Sequence, residues 1–297
     1  MPNETYQADL PQARQLLQQW LAASTDAPAM DWLREKIVSF ENAKPLRDFY
    51  VAFGLAPRMT GKKPLLLTDG DLQNAQRLRR GLTPTHWTTD QTARILLLLT
   101  LPHDNPDDFL KILNQLSGTA DVGELTALYR AFPLLPHPQA LRVRAAEGIR
   151  TSMDVVFNAV AVDNPYPKDY LDEAAWNQLI LKAVFIGTPL DSIQGLDERA
   201  NPTLARILRD YAHERWAAGL AVVPDLWRVV APFAAASLMP DLERLFARGD
   251  ETEQQAAALV CANSRMPEAL QLLREKRPDL AERITTARWI DGRTAGK

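Results

Sequence analysis

The sequence predicts an all-α protein, and three observations support this fold class. Asp250 and Glu253 have the spacing of a capping box, in which two side chains close a helix start. No alternating strand pattern or hairpin turn occurs, and residues 64–68 are the only β-like stretch. Helix starts are also marked by a polar cap residue followed by proline, at Thr83-Pro84, Asn105-Pro106, Thr188-Pro189 and Asn201-Pro202.

Between these signals, apolar residues recur with helical periodicity along the chain. The pattern predicts helices near 9–24, 29–41, 44–54, 69–80, 89–101, 106–117, 121–131, 138–149, 151–162, 169–186, 202–218, 223–231, 239–247, 251–262, 266–275 and 278–286. Short linkers make neighbouring helices antiparallel hairpins. We therefore expect a right-handed, α-solenoid-like stack of HEAT-like hairpins in a single elongated or curved domain.

Three segments are distinguished within that domain. Residues 1–55 supply N-terminal helices, 56–233 a helical core, and 234–297 C-terminal hairpins with a frayed tail at 291–297. The basic stretch at 56–64, which contains Pro57 and Pro64, is predicted to be a loop and the best soft boundary.

Composition excludes several classes of protein. The 297 residues are 46% hydrophobic, enough for a large core, and 34 basic against 37 acidic residues give a net charge of −3. We therefore expect no nucleic-acid partner, and the longest aliphatic run, 95–99, is far too short for membrane insertion. One cysteine, Cys261, forms no internal disulfide and no cysteine-based zinc site, and the N-terminal pattern is unlike a signal peptide. These features predict a cytoplasmic protein.

The helix predicted over 169–186 is apolar on most sides, which is typical of a buried helix. Asp169 is expected to cap it, while Asp172 and Glu173 face the positive end of its dipole. Arg215 falls on the core face of the helix predicted over 202–218 and needs an acidic or carbonyl partner. Structural ion pairs of Arg215 with Asp172 and Glu173 are therefore predicted.

Polar residues on both sides of this helix form the predicted ligand-binding groove. They come from DNPYP at 163–167, GLDER at 195–199 and RDYAHER at 209–215, together with neighbouring amides. Rigid turns with converging polar groups are typical of a small-molecule pocket. The predicted ligand-binding residues are Asn158, Asp163, Asn164, Tyr166, Asn177, Asp197, Arg199, Asp210 and His213.

Asp210 and His213 also support an alternative, because they lie three residues apart on one helix and a carboxylate can orient an imidazole for acid–base chemistry. A metal held by Asp163 with these two residues is a variant of that alternative, although the spacing is not that of a zinc site. The common nucleotide, hydrolase and metalloprotease motifs are absent from the sequence. We therefore predict no cofactor and no resident metal, and favour a non-enzyme.

Several blocks of the sequence resemble the EboA-domain family of bacterial metabolite-traffic proteins, mainly between residues 56 and 233. They are APRMTGK at 56–62, ALYRAFPLLPHP at 127–138, AAEGIRTSMDVVFNAVAVDNPYP at 145–167, DEAAWNQLILKAVF at 172–185, GLDERANPTLARILRDYAHERWAAG at 195–219 and LWRVVAPF at 226–233. The resemblance implies a helical component of a bacterial gene cluster that also encodes a UbiA-like membrane prenyltransferase. It implies no particular reaction.

Three functional hypotheses follow. The first is a component of a metabolite-traffic or biosynthesis cluster that binds a small metabolite, or a membrane-enzyme partner such as the prenyltransferase, in the polar groove. The second is an enzyme that uses Asp210 and His213 on a prenyl or phosphorylated metabolite. The third is a scaffold in which the polar residues serve only the fold.

Overall fold

The computed structural model describes residues 8–42, 46–264 and 266–284. Within these ranges the chain forms seventeen α-helices and a few short 3-10 turns, and its only β contact is an isolated bridge between Pro64 and Thr88. The predicted all-α class is therefore confirmed. The chain divides into two compact units, Met1–Ala175 and Trp176–Lys297.

The first unit holds ten helices and the start of an eleventh. They are α1 (Leu10–Ser24), α2 (Ala27–Glu41), α3 (Leu46–Thr60), α4 (Asp69–Leu78), α5 (Thr89–Leu98), α6 (Pro106–Thr119), α7 (Val122–Ala131), α8 (Arg142–Arg150), α9 (Asp154–Ala161), α10 (Tyr166–Tyr170) and α11 (Glu173–Ile186). Helices α3, α5, α7 and α9 pack against one another in that order, and α1 packs on α4 and α5. Helix α5 lies in the core of the unit, because eight of its nine residues from Asp90 to Leu98 are buried, the exception being Gln91.

Helix α3 passes through a proline without ending. Pro57 has no N–H, so the carbonyl of Phe53, four residues earlier, lacks its helical donor. The Nε of Arg94 on α5 donates to that carbonyl oxygen at 3.0 Å. The helix therefore continues to Thr60, and the loop predicted over 56–64 is wrong for residues 56–60.

Arg94 is almost completely buried, with 2% of its side chain exposed. Its guanidinium donates to Oδ2 of Asp90 at 3.2 Å, and a second nitrogen lies 3.8 Å from Oε1 of Glu124. A buried charge is tolerated only when it is paired and hydrogen-bonded. This network joins α5 to α3 and α7 in the middle of the first unit.

The helix predicted over 169–186 is broken into α10 and α11. Asp169 does not cap it, because its carboxylate pairs with the buried Arg79. Asp172 takes the capping role and accepts a hydrogen bond from the Ala175 N–H at 2.8 Å. A new helix start at Asp172 explains why the preceding helix ends at Tyr170 without a proline or glycine.

The second unit contains most of α11 and six further helices. They are α12 (Pro202–Ala217), α13 (Leu226–Val230), α14 (Met239–Arg248), α15 (Glu251–Asn263), α16 (Pro267–Lys276) and α17 (Pro278–Ile284). Helix α15 is central, since α13, α14, α16 and α17 all contact it. Its Cys261 is buried, and burial raises the pKa of the thiol to about 12.

The local helix signals are confirmed where the cap and its helix are close in sequence. The Asn201 side chain accepts a hydrogen bond from the Leu204 N–H at 2.8 Å. The carboxylates of Asp250 and Glu253 each accept a hydrogen bond from the other residue's backbone N–H, at 2.9 and 3.0 Å. The Thr188-Pro189 signal is followed only by a 3-10 turn over Leu190–Ser192. The predicted frayed tail at 291–297 lies outside the described residues.

Candidate functional site

The predicted ligand-binding residues are divided between the two units. The first unit contains Asn158, Asp163, Asn164 and Tyr166, and the second contains Asn177, Asp197, Arg199, Asp210 and His213.

Asn164 and Tyr166 hold the DNPYP turn from inside the first unit. The amide nitrogen of Asn164 donates to the carbonyls of Ala159 at 2.9 Å and Tyr129 at 3.2 Å, and its oxygen accepts the Tyr166 N–H at 3.0 Å. The Tyr166 hydroxyl donates to the Pro138 carbonyl at 2.7 Å, and burial raises the pKa of this phenol well above its usual range. Both side chains serve the fold, and a ligand role for them stays a prediction.

Asp163 lies at the exposed edge of the same turn. Its φ of 51° is in the left-handed region, which aspartate tolerates better than most residues, and 31% of its side chain is exposed. Its carboxylate lies 3.9 Å from Nε2 of His86, and Arg130 donates to the His86 carbonyl at 2.8 Å. Burial lowers the pKa of Arg130, while Asp163 and Asp90 act in the opposite direction. The half-buried Asn158 lies just before this turn, on α9.

In the second unit, the GLDER segment is bound to neighbouring helices. Arg228 donates from Nε to Oδ1 of Asp197 at 2.7 Å and from a terminal nitrogen to Oδ2, and this hydrogen bonding raises the pKa of Arg228. The guanidinium carbon of Arg199 lies 4.7 Å from the ring centroid of Trp176. The side-chain amides of Asn177 and Asn201 bind each other at 2.8 and 3.3 Å. These contacts position the start of α12.

His213 has a carboxylate partner, but that partner is Asp241 on α14. Its Nε2 lies 2.7 Å from Oδ1 of Asp241, whose Oδ2 accepts from Nε of Arg209 at 2.5 Å. Asp210 instead lies 3.7 Å from Arg206, and both of these side chains are well exposed. The carboxylate that contacts His213 is therefore Asp241 and not Asp210, while a catalytic or ligand-binding role for Asp210 and His213 stays a prediction.

Trp216 forms the aromatic centre beside this pair. Its ring stacks with the His213 imidazole and with the Trp227 indole, each at a centroid distance of 5.7 Å. The guanidinium carbon of Arg244 lies 4.7 Å from the Trp216 ring centroid. A cavity of about 240 Å³ adjoins this group and is lined by Trp216, Gly219, Leu220, Ala221, Arg244, Leu245, Arg248, Gly249 and Glu253.

The arrangement provides one accessible imidazole with a fixed orientation. Asp241 is buried, and 44% of the His213 side chain is exposed, so part of the imidazole is open to solvent. Across the described part of the chain, no three histidine, cysteine or acidic side chains are grouped so that they could hold a metal ion.

Sequence reasoning missed Asp241, Trp216, Arg244 and Arg248. Asp241 lies 28 residues from His213, so no spacing along one helix indicates their contact. Arg244 and Arg248 gave the only available signal, because they share one face of α14 at a spacing of four.

Arg215 satisfies its predicted need for a polar partner within its own unit. Its Nε donates to the Ala221 carbonyl at 2.9 Å. Asp172 and Glu173 belong to the first unit. Their ion pairs with Arg215 stay predictions.

The fold and these contacts define an all-α protein with an aromatic, arginine-lined cavity beside a carboxylate–imidazole pair. The family model described as metabolite traffic protein EboA matches residues 13–231, and the chain belongs to this family. The match includes α2 and α3, which precede most of the blocks that carry the resemblance. No curated protein and no solved structure matches the chain. No helix in the described ranges is long and apolar enough to cross a membrane.

Proposed function

We propose that this protein serves metabolite traffic by binding a small metabolite in the second-unit cavity beside Trp216. The observation that carries the proposal is the grouping of the Trp216 indole and two arginines around one concave space, with His213 stacked on the indole outside the lining. Small-molecule sites combine apolar walls with a few positioned polar groups in this way. The family to which the chain belongs supports a role in metabolite traffic.

The finer parts of the proposal rest on the sequence. We propose a bacterial, cytoplasmic component with HEAT-like stacking, whose N-terminal, core and C-terminal segments (1–55, 56–233 and 234–297) form one continuous domain. The alternating contacts of α3, α5, α7 and α9 support such stacking in the first unit. A UbiA-like membrane prenyltransferase is the proposed protein partner. The polar residues Asn158 and Asp163, together with Asp197, Arg199 and Asn177, stay proposed ligand contacts.

Retention of metabolites by the purified protein tests the proposal. The protein is incubated with a metabolite extract of the cells that produce it, separated from free compounds and analysed by mass spectrometry. We expect one compound or compound class to be retained by the unmodified protein and lost from Trp216→Leu. Phe233→Leu is the matched control, because Phe233 is a part-exposed aromatic residue outside the cavity lining.

Two results would contradict this function. One is the absence of any retained compound, which would favour the scaffold hypothesis. The other is equal retention by the unmodified protein and a folded Trp216→Leu variant, which would place the ligand elsewhere.

The second candidate function is an enzyme, and the contact between Asp241 and His213 favours it. A buried carboxylate that binds Nε2 holds the imidazole in one orientation and leaves Nδ1 available to accept a proton. The test is whether the retained compound is converted during incubation. Conversion that stops in His213→Gln while retention persists would support catalysis, whereas an unchanged compound would support binding alone.

A further inference from the structure

The two arginines of the cavity have an unusual electrostatic arrangement. Arg244 and Arg248 lie four residues apart on α14, where like charges are neighbours on the helix surface and disfavour the helix. In the described part of the chain, no carboxylate lies within ion-pair distance of either guanidinium, although fourteen other ion pairs are found there. An anion bound between them would relieve this repulsion.

The one acidic residue of the cavity lining is already engaged. Glu253 accepts the Asp250 N–H at 3.0 Å, and its own N–H is accepted by Asp250 at 2.9 Å, so its carboxylate closes the start of α15. Two guanidinium groups and one carboxylate leave the lining with a formal charge of +1. The local field therefore favours a negatively charged ligand.

The turn between α14 and α15 fixes the positions of these groups. A Cβ added at Gly249 would lie 2.4 Å from the Leu245 carbonyl oxygen and 2.9 Å from Cβ of Glu253. Both distances are too short for any side chain, so this position requires glycine. The close turn places Arg248 and Glu253 in the same cavity wall.

The remaining side chains that line the cavity are hydrophobic. Leu220, Ala221 and Leu245 line the cavity with the Trp216 ring, over which Arg244 already lies. A volume of about 240 Å³ is at the small end for ligand sites, which favours a compact molecule.

We infer that the cavity takes a compact organic anion, with its acid group against Arg244 and Arg248 and the rest of the molecule against Leu220, Ala221 and Leu245. This inference rests on the proposed function and adds the chemical class of the metabolite. Arginine binds carboxylate and phosphate through two parallel N–H donors, so either acid group fits this recognition.

Calorimetric titration with a matched series of probes tests the inference. The probes are naphthoate, naphthyl phosphate and the neutral naphthamide, which share one aromatic body and differ in the acid group. We expect at least one of the two acids to bind about tenfold or more tightly than the amide, since a tenfold ratio is the scale of one charge-assisted interaction. The stronger acid identifies whether the site prefers carboxylate or phosphate.

Substitution of an arginine tests whether the acid group of the probe binds at this pair. Arg248→Gln is expected to weaken binding of the preferred acid about tenfold and to leave the amide unchanged. The matched control is Arg206→Gln, because Arg206 is an exposed arginine of the same unit that lies outside the cavity lining. Thermal melts confirm that both variants stay folded.

Three outcomes would overturn the inference: failure of both acids to bind, equal binding of acid and amide, or equal affinities of Arg248→Gln and the unmodified protein for the acid. None of these outcomes removes the proposed function, which is measured separately by metabolite retention. If the retained metabolite proves neutral and is still lost from Trp216→Leu, the cavity binds metabolites and only its preference for an anion is refuted.

Discussion

The substitution Asp241→Asn tests whether the contacts of Asp241 with Arg209 and His213 stabilise the second unit. The carboxylate is buried and accepts hydrogen bonds at 2.5 Å and 2.7 Å from these two side chains. A hydrogen bond to a charged group contributes about 1.5 to 3 kcal/mol. Two such bonds together contribute roughly 3 to 6 kcal/mol, which is the upper limit of the stability lost when the substitution removes the charge.

Solvent reduces that range. The side chains of Arg209 and His213 are 26% and 44% exposed, so water replaces part of each lost interaction, and the new amide keeps one hydrogen bond. We therefore expect Asp241→Asn to lower the free energy of unfolding by about 2 to 4 kcal/mol. Equilibrium urea unfolding followed by tryptophan fluorescence measures this loss, because Trp216 stacks on His213, the partner of Asp241, and on Trp227.

Asp210→Asn is the matched control on the neighbouring face of α12. Its partner Arg206 lies at 3.7 Å, and the two side chains are 60% and 71% exposed. An exposed pair of this kind contributes roughly 0 to 1 kcal/mol. Equal losses for the two variants, or a larger loss for Asp210→Asn, would refute the assignment of Asp241 as the residue that orients His213.

Three further predictions concern the rest of the molecule. Arg94→Met should lower the free energy of unfolding by about 3 to 5 kcal/mol in a urea titration, because it leaves Asp90 buried without its cation; the exposed Arg34→Met should have almost no effect. Gly148→Ala should destabilise by about 1 to 3 kcal/mol in the same assay, since its Cβ would lie 2.7 Å from the Tyr129 ring, whereas Gly118→Ala, with open space around it, should be neutral or slightly stabilising. Cys261 should resist a disulfide reagent at pH 8 until urea unfolds the chain, because burial raises its pKa to about 12 and keeps the thiol protonated; fast labelling of the folded protein would contradict this.

Helices and their caps were predictable because their determinants are local. Asn201 and the pair of Asp250 and Glu253 cap helices that begin within three residues of them. The buried face of α11, which contains Trp176 and Ile180, likewise follows from periodicity within one element.

The errors occurred where a distant residue decides the local structure. Pro57 indicates a helix end from sequence alone, but a donor on α5 satisfies the carbonyl that the proline leaves open. Asp169 has the position of a helix cap, yet its carboxylate pairs with Arg79, 90 residues earlier. The candidate site was affected in the same way, since His213 obtains its carboxylate from α14, which is separated from α12 by α13 and its loops.

Because Arg94 donates to the Phe53 carbonyl, the effect of a substitution at position 94 depends on the residue at position 57. With proline at position 57, loss of Arg94 leaves a buried acceptor without a donor, which is costly. With alanine at position 57, a helical N–H would supply that donor, and part of the penalty would disappear. Loss of Arg94 is therefore less costly after Pro57 has been replaced, because only its carboxylate partners are then left without their cation. The two positions should show strong epistasis although neither lies in the candidate site.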